Sequence, residues 1–214
     1  MRSTKYMLAL GLATALTACA MEPSAYYTQT HYTNPTYTIV QGEGNIETRN
    51  YQSLLVAEIT ENGDRETAMK NGYEALNSYF QGANSTGEKI AMTEPVMQFA
   101  VFHSIHGMTD ARTVDNHKWV VRFFLPVEFT RASAPQPQDQ NVRILETNPM
   151  KVVAISYSGR WSNENIQSNE DTLKEYINNN ALHAVDVPAY AFYDSPASSP
   201  WSRHNEVLIK LSDE

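Results

Sequence analysis

The stretch LLVAEIT at residues 54–60 has a counterpart, MKVVAIS, at residues 150–156, 96 positions further along the chain. Both stretches are rich in apolar and β-branched residues, which is typical of half-buried β-strands. A second pair of strand-like stretches, Ile46–Arg49 and Val142–Leu145, has the same offset. A repeat of this length is not that of a solenoid, and it indicates that one structural unit occurs twice.

A helical pattern follows each pair of strands. The apolar positions of the two helices correspond at an offset of 97, with Leu76, Tyr79 and Phe80 in the first half and Leu173, Tyr176 and Ile177 in the second. These spacings place one apolar face on each helix. Asp64 is suited to cap the first helix, and Ser162 or Asn163 the second. Gly82 is suited to end the first helix in a left-handed conformation.

A further strand pattern follows each helix, so each half has the order strand, strand, helix, strand. We therefore predict an α+β fold in which two repeated β-β-α-β units form one distorted, barrel-like antiparallel sheet with two flanking helices. The alternative is a chance similarity between two unrelated α+β units of this size.

The composition is that of a globular protein, with 42% hydrophobic and 19% charged residues among 214. Lys and Arg number 16 against 24 Asp and Glu, and the net charge of −8 predicts that nucleic acid is not a partner. The chain has a single cysteine, which excludes an internal disulfide and a cysteine-based zinc or iron–sulfur site.

The N-terminus has the pattern of a bacterial lipoprotein signal peptide. Arg2 and Lys5 precede a short uncharged apolar stretch, which is too short for a stable transmembrane helix. The sequence Leu16–Cys19 then matches a lipobox, in which cleavage leaves the cysteine as the new N-terminus and its thiol receives diacylglycerol. We therefore predict a signal peptide over residues 1–18 and lipidation of Cys19. The alternative is an ordinary secretory signal with a chance cysteine.

The residues that follow Cys19 predict where the protein resides. Ala20, in place of aspartate, favours the outer membrane of an enteric-type bacterium over the inner membrane. Residues 19–35 are rich in Tyr, Thr and Pro without periodicity, and we interpret them as a lipidated tether. The folded domain, residues 36–214, is then expected to face the periplasm from the membrane of the cell envelope.

The sequence Gly87–Met97, GEKIAMTEPVM, resembles the "EKIAMTxPVM" motif of the SOUL haem-binding family. Four other segments resemble SOUL motifs in the same order: Ile46–Tyr51, Phe123–Pro126, Ser158–Ser162, and Tyr193–Pro196 followed by Arg203–Val207. The resemblance covers about residues 37–211. It implies a distorted barrel of two repeated units with flanking helices, in agreement with the pattern of the two halves.

The resemblance also implies non-covalent binding of haem or another tetrapyrrole. Some SOUL proteins carry a histidine, proposed as an axial ligand, at the position of Asn50, so this chain lacks that ligand. We therefore expect binding through apolar contact with the ring and through arginines that pair with the propionates. A metal site is not expected.

Seven residues are candidates for contact with the tetrapyrrole: Met92, Met97, Arg160, Trp161, Arg203, His103 and His106. The methionines offer a soft ligand or a polarizable wall, but methionine in such positions is more often part of the core. The arginines are suited to propionates or to ordinary surface ion pairs, and the tryptophan to ring stacking or to packing. The histidines would share one face of a helix and bind haem, or else lie exposed in a loop.

Motifs for common catalytic sites are absent from the sequence, which contains neither G-x-S-x-G, H-E-x-x-H nor a Walker loop. We therefore expect a binding protein that carries or buffers haem and not an enzyme. Two alternatives stay open, namely a module that binds another apolar ligand such as a lipid or drug, and an envelope protein with a structural or interaction role and no small ligand.

Overall fold

The computed structural model describes residues 35–104 and 112–212, and these residues form nine strands, two α-helices and one short 3-10 helix. In chain order the elements are β1 (Tyr37–Glu43), β2 (Ile46–Tyr51), β3 (Leu55–Asn62), α1 (Arg65–Phe80), β4 (Val96–Ser104), β5 (Arg112–Phe124), β6 (Arg143–Glu146), β7 (Met150–Tyr157), α2 (Asn163–Asn179), β8 (Ala189–Phe192), the 3-10 helix Pro200–Ser202 and β9 (Asn205–Lys210). The predicted signal peptide, Cys19 and residues 19–34 of the predicted tether lie outside the described residues.

The nine described strands form one antiparallel sheet in the order β1-β2-β7-β9-β8-β4-β5-β3-β6. The predicted fold class, two flanking helices on a curled, barrel-like antiparallel sheet, is confirmed. Apart from β1, the strand order from one edge of the sheet to its middle is β2-β7-β9-β8, and from the other edge to the middle it is β6-β3-β5-β4. Each strand of the first half therefore has an equivalent in the second half at the same distance from the middle of the sheet. Each half contains one strand more than the predicted β-β-α-β unit, namely β5 in the first half and β9 in the second.

The two halves exchange their first strands. β2 of the first half pairs with β7 of the second, with Arg49 opposite Val152. Conversely, β6 of the second half pairs with β3 of the first, with Ala57 opposite Ile144. Because each half supplies a strand to the other, the sheet is continuous and its hydrogen bonding depends on both halves.

Each helix covers one half of the sheet and begins at a capping side chain. Asp64 accepts a hydrogen bond from the backbone N–H of Thr67 at 2.9 Å, and Ser162 accepts one from the N–H of Asn165 at 3.3 Å. α1 packs on β3 and β5 in a core that includes Leu76, Phe80, Ile59, Val121 and Phe123. α2 packs on β7 and β9 in a second core that includes Leu173, Ile177, Val153, Ile155, Val207 and Ile209. Neither of the helices described has the length and apolar character needed to cross a membrane.

Gly72 allows α1 to approach β5 closely. A Cβ atom at this position would lie 2.6 Å from Cγ2 of Val121 and 3.3 Å from Cγ2 of Ile59. The first distance is well inside van der Waals contact, so any larger residue requires the helix or the strand to move. The glycine is therefore needed for packing and not for its backbone conformation.

Candidate ligand-binding groove

Alternation along the strands separates residues that face the helices from residues that face the opposite side of the sheet, here called the groove face. On β4, Gln98 is fully buried on the helix side, where its Nε2 donates to the backbone oxygen of Arg65 at 2.7 Å. Its neighbours Met97 and Phe99 point to the groove face and line a cavity there. The same alternation places Val152 and Leu208 on the groove face, whereas Val153 and Ile209 face α2.

The cavity on the groove face, here called the groove, has a volume of about 180 Å³. Most of its lining is apolar and comes from strands of both halves: Met97, Phe99, Phe124, Met150, Val152 and Leu208 are representative. The charged residues that line it are Arg122, Asp186 and Lys210. The groove is thus an apolar surface with two cations and one carboxylate in its lining.

Arg122 is fixed in place by an acidic partner and an aromatic ring. Its Nε and Nη2 donate to Glu58 Oε2 at 3.1 and 2.6 Å, and its guanidinium carbon lies 4.8 Å from the centre of the Phe99 ring. Arg143 also donates to Glu58, at 2.9 Å. Two arginines therefore share one carboxylate, which leaves a net positive charge beside the groove. For Lys210, no ion-pair partner is found among the described residues.

Two tyrosines connect the groove to a buried ion pair. Tyr51 and Tyr193 line the groove, and the Tyr193 hydroxyl donates to Glu206 Oε2 at 3.0 Å. Arg49 donates to both oxygens of Glu206, each at 2.8 Å, and also reaches the hydroxyl of Tyr51 at 3.4 Å. Arg49 and Glu206 are only 2% and 1% exposed. Such a pair is costly to desolvate and is stable because each charge has well-placed partners.

Further hydrogen bonds satisfy the Glu206 carboxylate. Ser156 donates to Oε1 at 3.1 Å, and Nε2 of His204 lies 3.1 Å from the same oxygen. Burial by itself raises the pKa of Glu206, but the hydrogen bonds from His204 and Arg49 outweigh this effect and hold the pKa at about 2. The carboxylate is therefore ionised at neutral pH, and burial beside it raises the pKa of the Tyr193 hydroxyl, which stays protonated.

A second cavity of about 620 Å³ lies on the helix side of the sheet. It is bordered by the first residues of α1, by one side of α2, and by β4, β5 and β8, and we call it the inter-helix cleft. Its lining is more polar than that of the groove and includes Arg65, His117, Trp119, Glu170, Lys174 and Tyr190.

Comparison with known proteins identifies the family. A model of the family described as SOUL heme-binding protein matches residues 32–210. The chain belongs to the SOUL family. Heme-binding protein 2 of Homo sapiens is 29% identical to this SOUL chain over 174 residues, which is 80% of this chain and 80% of the human protein. Heme-binding protein 2 of Mus musculus is 27% identical over 175 residues, with the same coverage of both chains.

Two solved structures with a similar architecture are distant in sequence from this SOUL chain. The EcmrR C-terminal domain superposes with a TM-score of 0.58 at 8% identity, over 83% of this chain and 99% of that one. An uncharacterized conserved protein from Listeria innocua gives 0.54 at 11% identity, over 78% and 92%. At these identities the likeness establishes the fold alone.

The described residues of the groove fit a tetrapyrrole through apolar contact and charge. Aromatic, thioether and aliphatic side chains provide a surface for a flat macrocycle, and Arg122 and Lys210 provide cations for two propionates. None of the described residues that line the groove is a histidine. The side chains in its lining that can ligate haem iron are the thioethers of Met97 and Met150 and the hydroxyls of Tyr51 and Tyr193. Among the residues that the structure describes, no group of three or more His, Cys, Asp and Glu side chains is arranged to hold a metal ion.

The candidates from the sequence do not converge on one site. Met97 lines the groove, whereas Met92 packs against the core under α1. Trp161 and Arg203 contact each other, with the guanidinium carbon 4.7 Å from the indole centre. The Trp161 Nε1 also donates to Asn205 at 2.6 Å, and Arg203 donates to the backbone oxygens of Ser198 and Pro196. These contacts brace the loop before β9 outside the groove.

Three of the candidates make no described contact with a ligand site. The side chain of Arg160 is exposed, and only its backbone oxygen forms a described bond, with Asn165. His106 and the side chain of His103 lie outside the described residues. His117, which was not among the candidates, lines the inter-helix cleft.

Met97 is the candidate chosen from the sequence that lines the groove. Arg122 was recognisable as a charged residue within an apolar strand, KWVVRFFLP. Because side chains alternate along a strand, Arg122 lies on the other face of the sheet from its neighbours Val121 and Phe123. Val152 and Leu208 carry no such signal, because they are ordinary strand residues until the pairing of β7 with β9 brings them together.

Proposed function

We propose that this SOUL protein binds haem or another tetrapyrrole non-covalently in the groove and carries or buffers it at a bacterial membrane. The observation that carries the proposal is the apolar groove with Arg122 and Lys210 at its edge, in a chain of the SOUL family. The name of the curated relatives, Heme-binding protein 2, supports the same ligand class.

In this proposal the groove contains only one edge of the tetrapyrrole ring. Its volume of about 180 Å³ is below the range of about 300–1,000 Å³ that encloses a drug-sized ligand, so most of a tetrapyrrole would extend beyond it. The propionates are anionic and would lie towards Arg122 and Lys210, while apolar ring atoms contact Met97 and Phe99. Buried apolar area contributes roughly 25 cal/mol per Å², which makes ring contact the main source of affinity.

Hemin titration of the full chain in detergent, with a detergent-only blank, tests this proposal. We expect a shifted Soret band with saturation near one hemin per chain. Met97→Glu places a carboxylate in the groove and should weaken hemin binding at least tenfold. Val127→Glu, at a position that is 75% exposed and outside the groove, is the matched control and should bind normally. No spectral change with the wild-type chain at micromolar hemin, or equal binding by Met97→Glu, would overturn the proposal.

The volume of the groove favours one alternative ligand class, an apolar molecule smaller than a tetrapyrrole, such as a lipid chain or a drug. Thermal unfolding in the presence of a panel of such ligands separates the two. A rise in Tm with a lipid or drug that Met97→Glu abolishes, together with no Soret shift with hemin, would assign the groove to that alternative. No response to either class would favour an interaction role in the envelope.

We further propose that the chain is anchored through lipid on Cys19 and faces the periplasm from the outer membrane, as the lipobox and Ala20 indicate. A single acyl chain binds membranes only marginally, whereas several chains hold stably. Wild-type protein should incorporate labelled fatty acid and stay with membranes in high salt, and Cys19→Ser should do neither. Unlabelled wild-type protein that washes off membranes would contradict the anchor. In this proposal the protein is a binding protein and not an enzyme.

A further inference from the structure

The inter-helix cleft contains one buried donor for which the described residues supply no acceptor. Trp119 is 9% exposed and lines the cleft, and its Nε1 has no hydrogen-bond partner in the described part of the chain. Buried donors in native proteins are nearly always satisfied, so the Trp119 N–H points to an acceptor that another molecule supplies.

Arg65 adds a buried positive charge to the cleft. Its side chain donates to neutral groups: Nε to Asn163 at 2.8 Å, Nη2 to the Trp161 oxygen at 2.6 Å, and Nη1 to Gln98 at the long distance of 3.5 Å. The carboxylate that pairs with it, that of Glu66, lies 3.7 Å away and is 71% exposed. A guanidinium has five N–H donors, so Arg65 keeps donors for a further acceptor. Burial lowers the pKa of Arg65, which agrees with a charge that is incompletely compensated.

The acidic groups of the cleft are already engaged. Glu170 accepts from the hydroxyl of Tyr190 at 2.8 Å and pairs with Nζ of Lys174 at 2.5 Å. Asp64 accepts from the backbone N–H and the hydroxyl of Thr67, both at 2.9 Å. His117, the remaining ionisable group in the lining, is exposed at the rim. Arg65 is therefore the charge in the cleft that lacks a buried partner.

The apolar part of the lining is flat and aromatic. The rings of Trp119 and Tyr190 lie 6.4 Å apart at an angle of 37°, and Ile166 of α2 also lines the cleft. A volume of about 620 Å³ falls within the range of small-molecule sites. We propose that the inter-helix cleft is a second binding site, separate from the groove, for a small molecule with a carboxylate or phosphate group on a flat apolar ring.

Fluorine NMR of the full chain labelled with 5-fluorotryptophan, in detergent and without hemin, tests this site. The Trp119 signal is assigned by its loss in Trp119→Phe. The probes are 2-naphthoate, 2-naphthyl phosphate and the neutral 2-naphthylmethanol. At least one anionic probe should give a saturable shift of the Trp119 signal, with a Kd at least tenfold lower than that of the neutral probe. The lower Kd of the two anions identifies the preferred group.

Variants distinguish the cleft from non-specific binding. Because Arg65 also braces the first turn of α1, its loss risks the fold, so Lys174→Met and Gln167→Phe are used instead. Lys174→Met removes an exposed cation and leaves Glu170 with the Tyr190 hydroxyl but without its counter-charge, so the Kd of the anionic probe should rise at least fivefold. Gln167→Phe places a larger side chain in the lining and should raise the Kd by a similar factor. Lys89→Met, an exposed lysine outside the cleft lining, is the matched control.

Three outcomes would overturn the second site. They are an unmoved Trp119 signal with all three probes, equal affinity for the neutral probe, and unchanged binding in both cleft variants. Added hemin should leave the Kd of the anionic probe unchanged, and competition would show that the two cavities are not separate sites. Because the probe titrations contain no hemin, they succeed or fail independently of tetrapyrrole binding in the groove.

Discussion

Arg49 on β2 and Glu206 on β9 form a buried, two-pronged ion pair across the intervening strand β7, with both nitrogen–oxygen distances at 2.8 Å. The two residues are 157 positions apart in the sequence. The pair therefore joins the start of the first half to the end of the second. Glu206 also accepts a hydrogen bond from the hydroxyl of Tyr193, which lines the groove.

Glu206→Gln should strongly destabilise the protein. The substitution keeps the size of the side chain but removes the buried counter-charge of Arg49, which then keeps only the more exposed carboxylate of Glu47, 2.8 Å from its Nε. Breaking a buried pair costs about 3–5 kcal/mol of the free energy of unfolding, and the remaining Glu47 contact places the expected loss at the lower end of that range. Urea unfolding followed by circular dichroism measures the change. Glu128→Gln, at an exposed position, should change stability by less than about 0.5 kcal/mol. Equal stability of the two variants would contradict the role of the pair.

We also expect the contribution of the Arg49–Glu206 pair to the free energy of unfolding to disappear in acid. The pKa of Glu206 is lowered in the folded protein from 4.5 to about 2, so its charged form contributes fully above pH 4.5. That contribution is lost as the pH falls through about 2. The stability difference between wild type and Glu206→Gln should therefore shrink between pH 4.5 and pH 2 in urea unfolding series. A difference that stays constant over this range would mean that the carboxylate is not specifically stabilised.

Gly72→Ala should destabilise the protein although alanine favours helices. Its Cβ would lie 2.6 Å from Val121, and overpacking of this kind costs about 1–3 kcal/mol, against a gain of about 1 kcal/mol in helix propensity. Asn71→Ala, at an exposed position of the same helix, should be neutral or stabilising. Thermal unfolding compares the two, and a Tm for Gly72→Ala at or above wild type would show that α1 can move away from β5 freely.

Neither half of the domain should fold alone. A fragment of residues 36–126 contains β1 to β5 but lacks β7, the partner of β2, and β6, the partner of β3. Both strands would become edges with exposed hydrogen-bonding groups and apolar faces. We expect unfolded or aggregated material in size-exclusion chromatography and circular dichroism. A monomeric fragment with a cooperative unfolding transition would contradict the interdependence of the halves.

Iron should add little to tetrapyrrole binding in the groove. Since its described lining has no histidine, metal-free protoporphyrin should bind within about tenfold of hemin, a difference on the order of 1.4 kcal/mol. Fluorescence and absorbance titrations of the full chain give the two Kd values. Replacement of both His103 and His106 by Ala should leave hemin binding largely intact. Loss of binding in that double variant, with the fold preserved, would make the histidine pair the ligand.

The local signals of the chain predicted its elements well. Asp64 and Ser162 cap the helices as expected, and Gly82 adopts a left-handed φ of 111° directly after the C-cap of α1. The duplicated LLVAEIT and MKVVAIS stretches form the equivalent strands β3 and β7. These features were readable because capping, turns and apolar periodicity depend on residues that are near one another in sequence.

The sequence by itself thus determined the elements, their duplication and the SOUL motifs that they carry. Only the tertiary structure decided that the first strands of the halves are exchanged, and that Arg49 meets Glu206 in the interior. It also placed Met97 in a groove, and Trp161 and Arg203 outside it. The physical reason is strand register, since pairings such as Arg49 with Val152 and Met97 with Ala191 join residues about a hundred positions apart, and no local pattern specifies which faces they share.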